Sequence, residues 1–382
     1  QRQNVRAFLY DTAFGPRMFE AVQGLDSLVD HPFIAAGRGP VPDGVSSYEE
    51  TIAAASPREI PLSESGKEGG VTLHTSGTTG TPKGVERSLT QGGPVSLAEL
   101  LRALPLRADD VVAVPTPLHH GLGFGFAVIA LSLGARLCLL ESFDPADLLR
   151  TVEDEAVTVI PVVPAMLRAV LDLPPETLSD AERSSLRLLV SSGSRLPASL
   201  RKRASNVFGP ILYNLYGSTE IGWATLAAPE DHDRYPGSVG RPLPGVEIRI
   251  VHETTVEPVP RGENGEVFVR NKLLFEGYTG TPEEGKPRKE RFVSAGDIGR
   301  LSEEGHLFLE GRKDDMIVSG GENVYPSETE DVLGEHPDLE DAAVVGEEDP
   351  KWGQVLKAFL VRKSDADVSE EDLNRFLKER LA

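Results

Sequence analysis

The run Thr75-Ser76-Gly77-Thr78-Thr79-Gly80-Thr81-Pro82-Lys83-Gly84 organises the chain around it. Ahead of it, residues 70–74 read Gly-Val-Thr-Leu-His, a short segment that predicts a buried strand. Behind it, residues 88–104 carry a helical pattern. A loop rich in Gly, Ser and Thr at the end of a strand is suited to holding an anion. Glycines let the backbone turn tightly and approach a ligand closely. Successive N–H groups can form an anion-binding concavity. The hydroxyls of Thr75, Ser76, Thr78 and Thr79 add donors, and Lys83 adds a positive charge. The run is not a Walker loop, because Gly84 stands after Lys83 where that pattern requires Ser or Thr.

Working outward, 382 residues predict two or three domains with a large core. Apolar residues make up 39% of the chain, an ordinary globular composition. A net charge of −21 argues against nucleic acid or an anionic membrane surface as partner. It does not exclude a nucleotide, whose binding is decided by the local pocket. The single cysteine, Cys138, lies in an apolar run and fits a reducing, cytoplasmic compartment. No apolar run reaches the roughly 18 residues that a membrane span needs, and no transmembrane segment is expected.

The region 110–220 alternates strand and helix signals. Strands are predicted at Val111–Val114, Arg136–Leu140, Val157–Val163 and Leu186–Val190, and helices at Ala127–Leu133 and Pro164–Leu171, with Gly134 as a C-cap. Gly121, Gly123 and Gly125, beside Phe124 and Phe126, predict an apolar slot. Turn dipeptides at 236–237, 244–245 and 264–265 separate alternating runs into a β-rich part spanning about 236–313. Ser327-x-x-Glu330 and Ser369-x-x-Asp372 read as capping boxes that open two helices of a small C-terminal domain.

Four stretches in order carry a resemblance: residues 75–84; Tyr213-Asn214-Leu215-Tyr216-Gly217-Ser218-Thr219-Glu220; the segment Ser294-Ala295-Gly296-Asp297; and the run from Gly311 to Pro326. Together they resemble the adenylate-forming superfamily, of the acyl-CoA synthetase type. The resemblance implies an α/β fold: a large multi-part domain over 1–313, with mixed sheets, helices and the β-rich part, then a small α+β lid over 314–382 hinged at Asp314. It implies ATP, Mg²⁺ and coenzyme A as reactants, and a carboxylic acid activated as acyl-AMP. An acyl carrier protein is the alternative acceptor, and a non-catalytic nucleotide-binding module the alternative outside enzymes.

Residue by residue, the resemblance implies phosphate contacts from Thr75, Ser76, Gly77, Thr78, Thr79, Gly80 and Lys83. It implies adenine against Ser192, Gly193 and Ser194, with Asn214 on the base edge and the Tyr216 ring stacked on the base. Gly217 and Ser218 belong to the same nucleotide-binding stretch, Thr219 can bond a phosphate oxygen, and Glu220 is the expected Mg²⁺ ligand. Asp297 is matched to the ribose hydroxyls, because a carboxylate can accept two hydrogen bonds at once. Arg312 supplies fixed positive charge. Thr219, Glu220, Lys83 and Arg312 are therefore the expected catalytic residues. His119, His120, Gly121 and Gly123 match the border of the acid pocket, and the glycines at 320 and 321 a loop that faces the site in the second step. The resemblance also implies a longer N-terminal stretch and, past Ala382, a segment with a lysine that contacts the acid; no lysine of this sequence matches it. The absence of a cation between Gly121 and Phe126 favours a fatty or other apolar acid.

Overall fold

The computed structural model describes residues 7–15, 17, 20, 33–37, 39–41, 45–55, 70–75, 83–88, 101–180, 184–255, 257–271, 277–278, 288–289, 291–363 and 366–381. Its contacts divide the chain into two units, residues 1–68 with 277–284 and residues 69–276 with 285–382. In the first, strands β1 (Phe8–Asp11), β2 (Phe33–Ala36) and β3 (Ser46–Ser47) pair in parallel. Helix α1 (Tyr48–Ala54) follows, with the Ser47 hydroxyl capping the Glu50 amide at 3.3 Å.

In the second unit, β4 (Gly70–Thr75) and β5 (Lys83–Ser88) form an antiparallel hairpin in register from Gly70↔Ser88 to Thr75↔Lys83. The expected strand before the Gly-Thr run is present. A second strand, not a direct passage into a helix, follows it. Residues 101–103 are helical; the rest of the predicted helix, residues 89–100, lies outside the described residues.

The site rests on a seven-stranded sheet. Its strands are β6 (Val111–Val114), β7 (Arg136–Leu139), β8 (Val159–Val162), β9 (Leu188–Ser192), β10 (Leu212–Ser218), β11 (Gly222–Ala227) and β12 (Arg241–Pro242), in the order β12-β11-β10-β9-β8-β6-β7. The five from β10 to β7 are parallel, and β11 and β12 run antiparallel at one edge. Between them lie α2 (Gly121–Leu133), α3 (Pro145–Glu155), α4 (Pro164–Leu171), α5 (Pro175–Asp180), α6 (Ala198–Phe208) and α7 (Pro229–Arg234). Val112, Val114 and Leu215 pack with Leu122 and Phe126 of α2 on one face. Ala113, Ile160, Leu189 and Leu212 pack with Leu148 of α3, Leu167 of α4 and Leu200 of α6 on the other.

This split follows from handedness. The step from β6 to β7 moves one way across the sheet, and the steps from β7 to β8 and on to β9 move the other way. Right-handed crossovers then place the helices on opposite faces. The carboxyl ends of β6 and β8 therefore flank a crevice, the usual ligand position in an open α/β sheet.

Helix α2 begins six residues earlier than its sequence pattern suggests, at Gly121, while its C-cap Gly134 takes the expected left-handed conformation (φ 70°). The glycines there are close-packing positions. A Cβ on Gly123 would lie 2.5 Å from the Thr116 carbonyl oxygen, and one on Gly125 would lie 2.7 Å from the Trp223 ring. Phe126 is buried against Trp223, whose ring packs over Gly125.

The β-rich part contains β13 (Glu247–Val251), β14 (Gly265–Arg270), β16 (Arg288–Lys289), β17 (Phe292–Leu301) and β18 (Leu307–Arg312), all antiparallel; β15 is Gly277–Tyr278. A single 3-10 turn, Lys313–Asp315, leads from β18 to the last sheet. That sheet has the order β20 (Glu322–Val324), β19 (Ile317–Ser319), β22 (Gly353–Arg362), β21 (Leu339–Asp349). Helices α8 (Pro326–Gly334) and α9 (Glu370–Lys378) cover it through Leu333, Leu339, Val344 and Leu373.

The Ser369 cap is as expected, accepting from the Asp372 amide at 3.1 Å. The Ser327 capping box is not present. Pro326 already occupies the first turn of α8, so Ser327 sits inside it and its hydroxyl donates to the Glu310 carbonyl, while Glu330 accepts the Val344 amide at 2.8 Å. Among the described residues, no helix is long and apolar enough to cross a membrane.

Candidate nucleotide site

A cavity of about 840 Å³ opens at the carboxyl ends of β9 and β10. Alternate side chains of β10 turn to opposite faces of the sheet, although Leu215 as well as its neighbours lines the cavity. Leu212 packs toward α4 and α6, so Asn214 and Tyr216 face the same way, and Leu215 faces α2. Asn214, Tyr216, Gly217 and Ser218 all line the cavity. At Gly217 the register with β11 shifts by a bulge. A Cβ there would lie 2.2 Å from the Gly222 carbonyl oxygen and 2.9 Å from the Trp223 Cα, so only glycine fits.

The loop after β9 supplies Gly193 and Ser194 to the cavity wall. Gly193 has φ +90°, which turns the chain sharply away from the sheet. Ser192 ends β9 as a buried residue just before this turn.

Across the cavity, β17 and β18 set Asp297 opposite Arg312 in direct register. Arg312 Nη1 donates to Asp297 Oδ1 at 3.0 Å, and the Tyr216 hydroxyl donates to Asp297 Oδ2 at 2.6 Å. Asp297 is only 6% exposed, yet both carboxylate oxygens have partners, and Arg312 also reaches the Ala295 carbonyl at 3.4 Å. Burial, then the Asp297 charge and hydrogen bond, hold the Tyr216 phenol well above its ordinary pKa. Burial alone would lower the Arg312 pKa; the Asp297 carboxylate outweighs it and raises it. This neutralised trio joins three distant motifs, from 216, 297 and 312.

Glu220 follows in the turn after β10, where its carboxylate accepts from the Ser218 hydroxyl at 2.8 Å. Thr219 lies beside it, and neither lines the cavity wall. Among the described residues, no group of three or more His, Cys, Asp or Glu side chains gathers to hold a metal. A lone carboxylate fits Mg²⁺, which keeps several waters and takes ligands from substrate phosphates. Asp314 lines the cavity at the connecting turn.

The hairpin backbone brings Thr75 and Lys83 opposite each other. Ser76, Gly77, Thr78, Thr79 and Gly80 lie outside the described residues. His119 and His120 stand apart from the cavity, exposed at the start of α2, with ring centroids 4.2 Å apart. Partial desolvation of its ring, then the neighbouring His119, lowers the His120 pKa. Gly121 and Gly123 belong to the first turn of the same helix.

Sequence reasoning missed several residues. Arg195 pairs with Asp331 of α8, and Arg168 pairs with Asp341 at 3.0 Å, so the C-terminal sheet is seated over the cavity. Burial raises the Asp331 pKa, opposed by Arg195. Glu266 is buried in β14 between Ser294 and Lys313. A Glu within the otherwise apolar run Gly265-Glu266-Val267-Phe268-Val269 was the available signal.

The AMP-binding enzyme model matches residues 35–279, and the AMP-binding enzyme C-terminal domain model matches residues 328–382. A 2-succinylbenzoate–CoA ligase of Bacillus licheniformis is 35% identical over 93% of this chain and 73% of its own length. A medium/long-chain-fatty-acid–CoA ligase of Mycobacterium tuberculosis is 34% identical over 87% of this chain and 59% of its own. The amide bond synthetase McbA from Marinactinospora thermotolerans superimposes with a TM-score of 0.86 at 31% identity, covering 98% of this chain and 74% of that one. The chain belongs to the AMP-binding enzyme family. Its kinship within that family is with the AMP-forming acid–CoA ligases, which use ATP and coenzyme A.

Proposed function

We propose that the chain activates an apolar or aromatic carboxylic acid and passes the acyl group to coenzyme A. A carboxylate oxygen of the acid bonds to the α-phosphorus of ATP and pyrophosphate leaves, giving acyl-AMP. The thiol sulfur then bonds to the carbonyl carbon, its proton is released and AMP leaves. Such chemistry needs positioning and charge neutralisation more than side-chain reactivity.

The observation that carries this reading is the Tyr216–Asp297–Arg312 trio at the cavity. In it, Asp297 would face the ribose hydroxyls, Tyr216 and Asn214 the adenine, and Arg312 the phosphates. Gly193 and Ser194 would let the flat base approach backbone. Thr219 and Lys83 would bond phosphate oxygens, and Glu220 would hold Mg²⁺, which would supply charge neutralisation there. The pivot between the two steps would be Asp314, with a core over 1–313 and a lid over 314–382.

The acid would lie on the α2 face, near His119 and His120. Partial desolvation favours the neutral form of His120, and Trp223 beside Gly125 and Phe126 offers an apolar wall. This supports an apolar tail and disfavours a second carboxylate.

Acid-dependent ATP–pyrophosphate exchange across a panel of fatty, aryl and dicarboxylic acids tests the reading. Exchange with apolar or aryl acids, followed by acyl transfer to coenzyme A, is expected. Exchange only with dicarboxylates overturns the assignment of the acid. Transfer to a phosphopantetheinyl carrier protein but not to coenzyme A overturns the assignment of the acceptor.

A further inference from the structure

One buried carboxylate outside the nucleotide trio stands directly behind it. Glu266, in β14, is 5% exposed and has two partners. The Ser294 hydroxyl donates to Oε1 at 2.5 Å, and Lys313 Nζ donates to Oε2 at 2.7 Å. Each partner leads to a member of the trio. Ser294 Oγ accepts the Gly296 amide at 3.0 Å, and Gly296, at φ +77°, precedes Asp297. Lys313 follows Arg312 and opens the turn Lys313–Asp315, which connects the β-rich sheet to the C-terminal sheet.

We propose that Glu266 is a positioning residue that sets Asp297 and Arg312 together and fixes the core-side end of the connecting turn. With Lys313 held from inside the core, any reorientation of the C-terminal sheet is confined to Asp314 onward. A charge this buried must be paired to be tolerated, so the pair keeps Lys313 in place. Glu266 does not itself line the cavity, so its effect passes through neighbours. The AMP readout rests on the nucleotide reading above; the cutting readout does not.

The test uses the full chain with Glu266→Gln, Lys313→Met, the double variant and Ser294→Ala. In Glu266→Gln one oxygen becomes an NH₂ group. Whichever way the amide turns, the carboxylate charge that Lys313 Nζ meets is removed, and the ion pair becomes at most a neutral-acceptor hydrogen bond. The first readout is the native-state rate of cutting between Lys313 and Asp314 by an endoproteinase that cleaves before aspartate. The second is AMP affinity by calorimetry. Neither needs an acid, so failure of the ligase reading, seen as no exchange with any acid, remains separable.

Glu266→Gln and Lys313→Met should each speed cutting by about tenfold, the lower end of what a charge-assisted hydrogen bond is worth, because Lys313 is itself 37% exposed. The effects should be non-additive: the double variant should be cut no faster than the faster single, since both singles break the same pair. Ser294→Ala should weaken AMP binding and leave the cutting rate unchanged. Unchanged cutting in Glu266→Gln, or additive effects in the double variant, overturns the proposal. So does a Ser294→Ala variant that binds AMP as tightly as the parent.

Discussion

Replacing Asp297 with Asn isolates what this carboxylate does. The side chain keeps its volume, but one acceptor oxygen becomes a donor. The Tyr216 hydroxyl can rotate to suit either atom. The Arg312 guanidinium has only donors, so if the amide oxygen turns to Arg312, a ribose hydroxyl loses its acceptor. If it turns to the ribose, Arg312 loses its partner. One charge-assisted bond, about 1.5–3 kcal/mol, is lost either way. That corresponds to roughly 10- to 150-fold weaker AMP binding. Calorimetry with AMP and with 2′,3′-dideoxy-AMP, on both proteins, separates the two outcomes. The parent should prefer AMP; Asp297→Asn should lose most of that preference if the amide oxygen turns to Arg312, and keep it with weaker binding of both ligands if it turns to the ribose. A variant that binds AMP as tightly as the parent and discriminates the two ligands as well would refute the ribose assignment.

Gly217→Ala should destabilise by roughly 1–3 kcal/mol, because the new Cβ meets backbone atoms that cannot move aside; a lowered denaturant midpoint together with weaker AMP binding is expected. Arg187→Met strands the buried Asp110, which accepts from Arg187 Nε at 3.0 Å and from Thr158 Oγ1 and the Arg107 amide at 2.7 Å, at a cost of about 3–5 kcal/mol. Burial alone would raise the Asp110 pKa; these hydrogen bonds lower it on balance. The stabilisation is therefore complete above the unfolded carboxyl pKa of about 3.9 and fades as pH falls through the folded value. The gap in denaturation midpoint between parent and variant should accordingly be widest near neutral pH and close in acid.

The sequence by itself determined the family-level plan. The Gly-Thr run at 75–84, the Tyr-Gly-Ser-Thr-Glu turn and Asp297 are local patterns, and residue type and order were enough to read them. Strands such as β6, β8 and β9 were legible because apolar runs bounded by turns have few alternatives. Elements set by contacts were not. The start of α2 was missed because glycines lower helix propensity, and it is packing of Gly123 and Gly125 against Thr116 and Trp223 that accommodates them. The Ser327 capping box failed because Pro326 already opens the helix, and the serine found a carbonyl in β18 instead. Only the tertiary structure joined Tyr216 to Asp297 and Arg312, and placed Glu266 behind them. Those pairings depend on strand register across long sequence separations, and no local signal encodes register: a shift of one residue would turn each side chain to the opposite face.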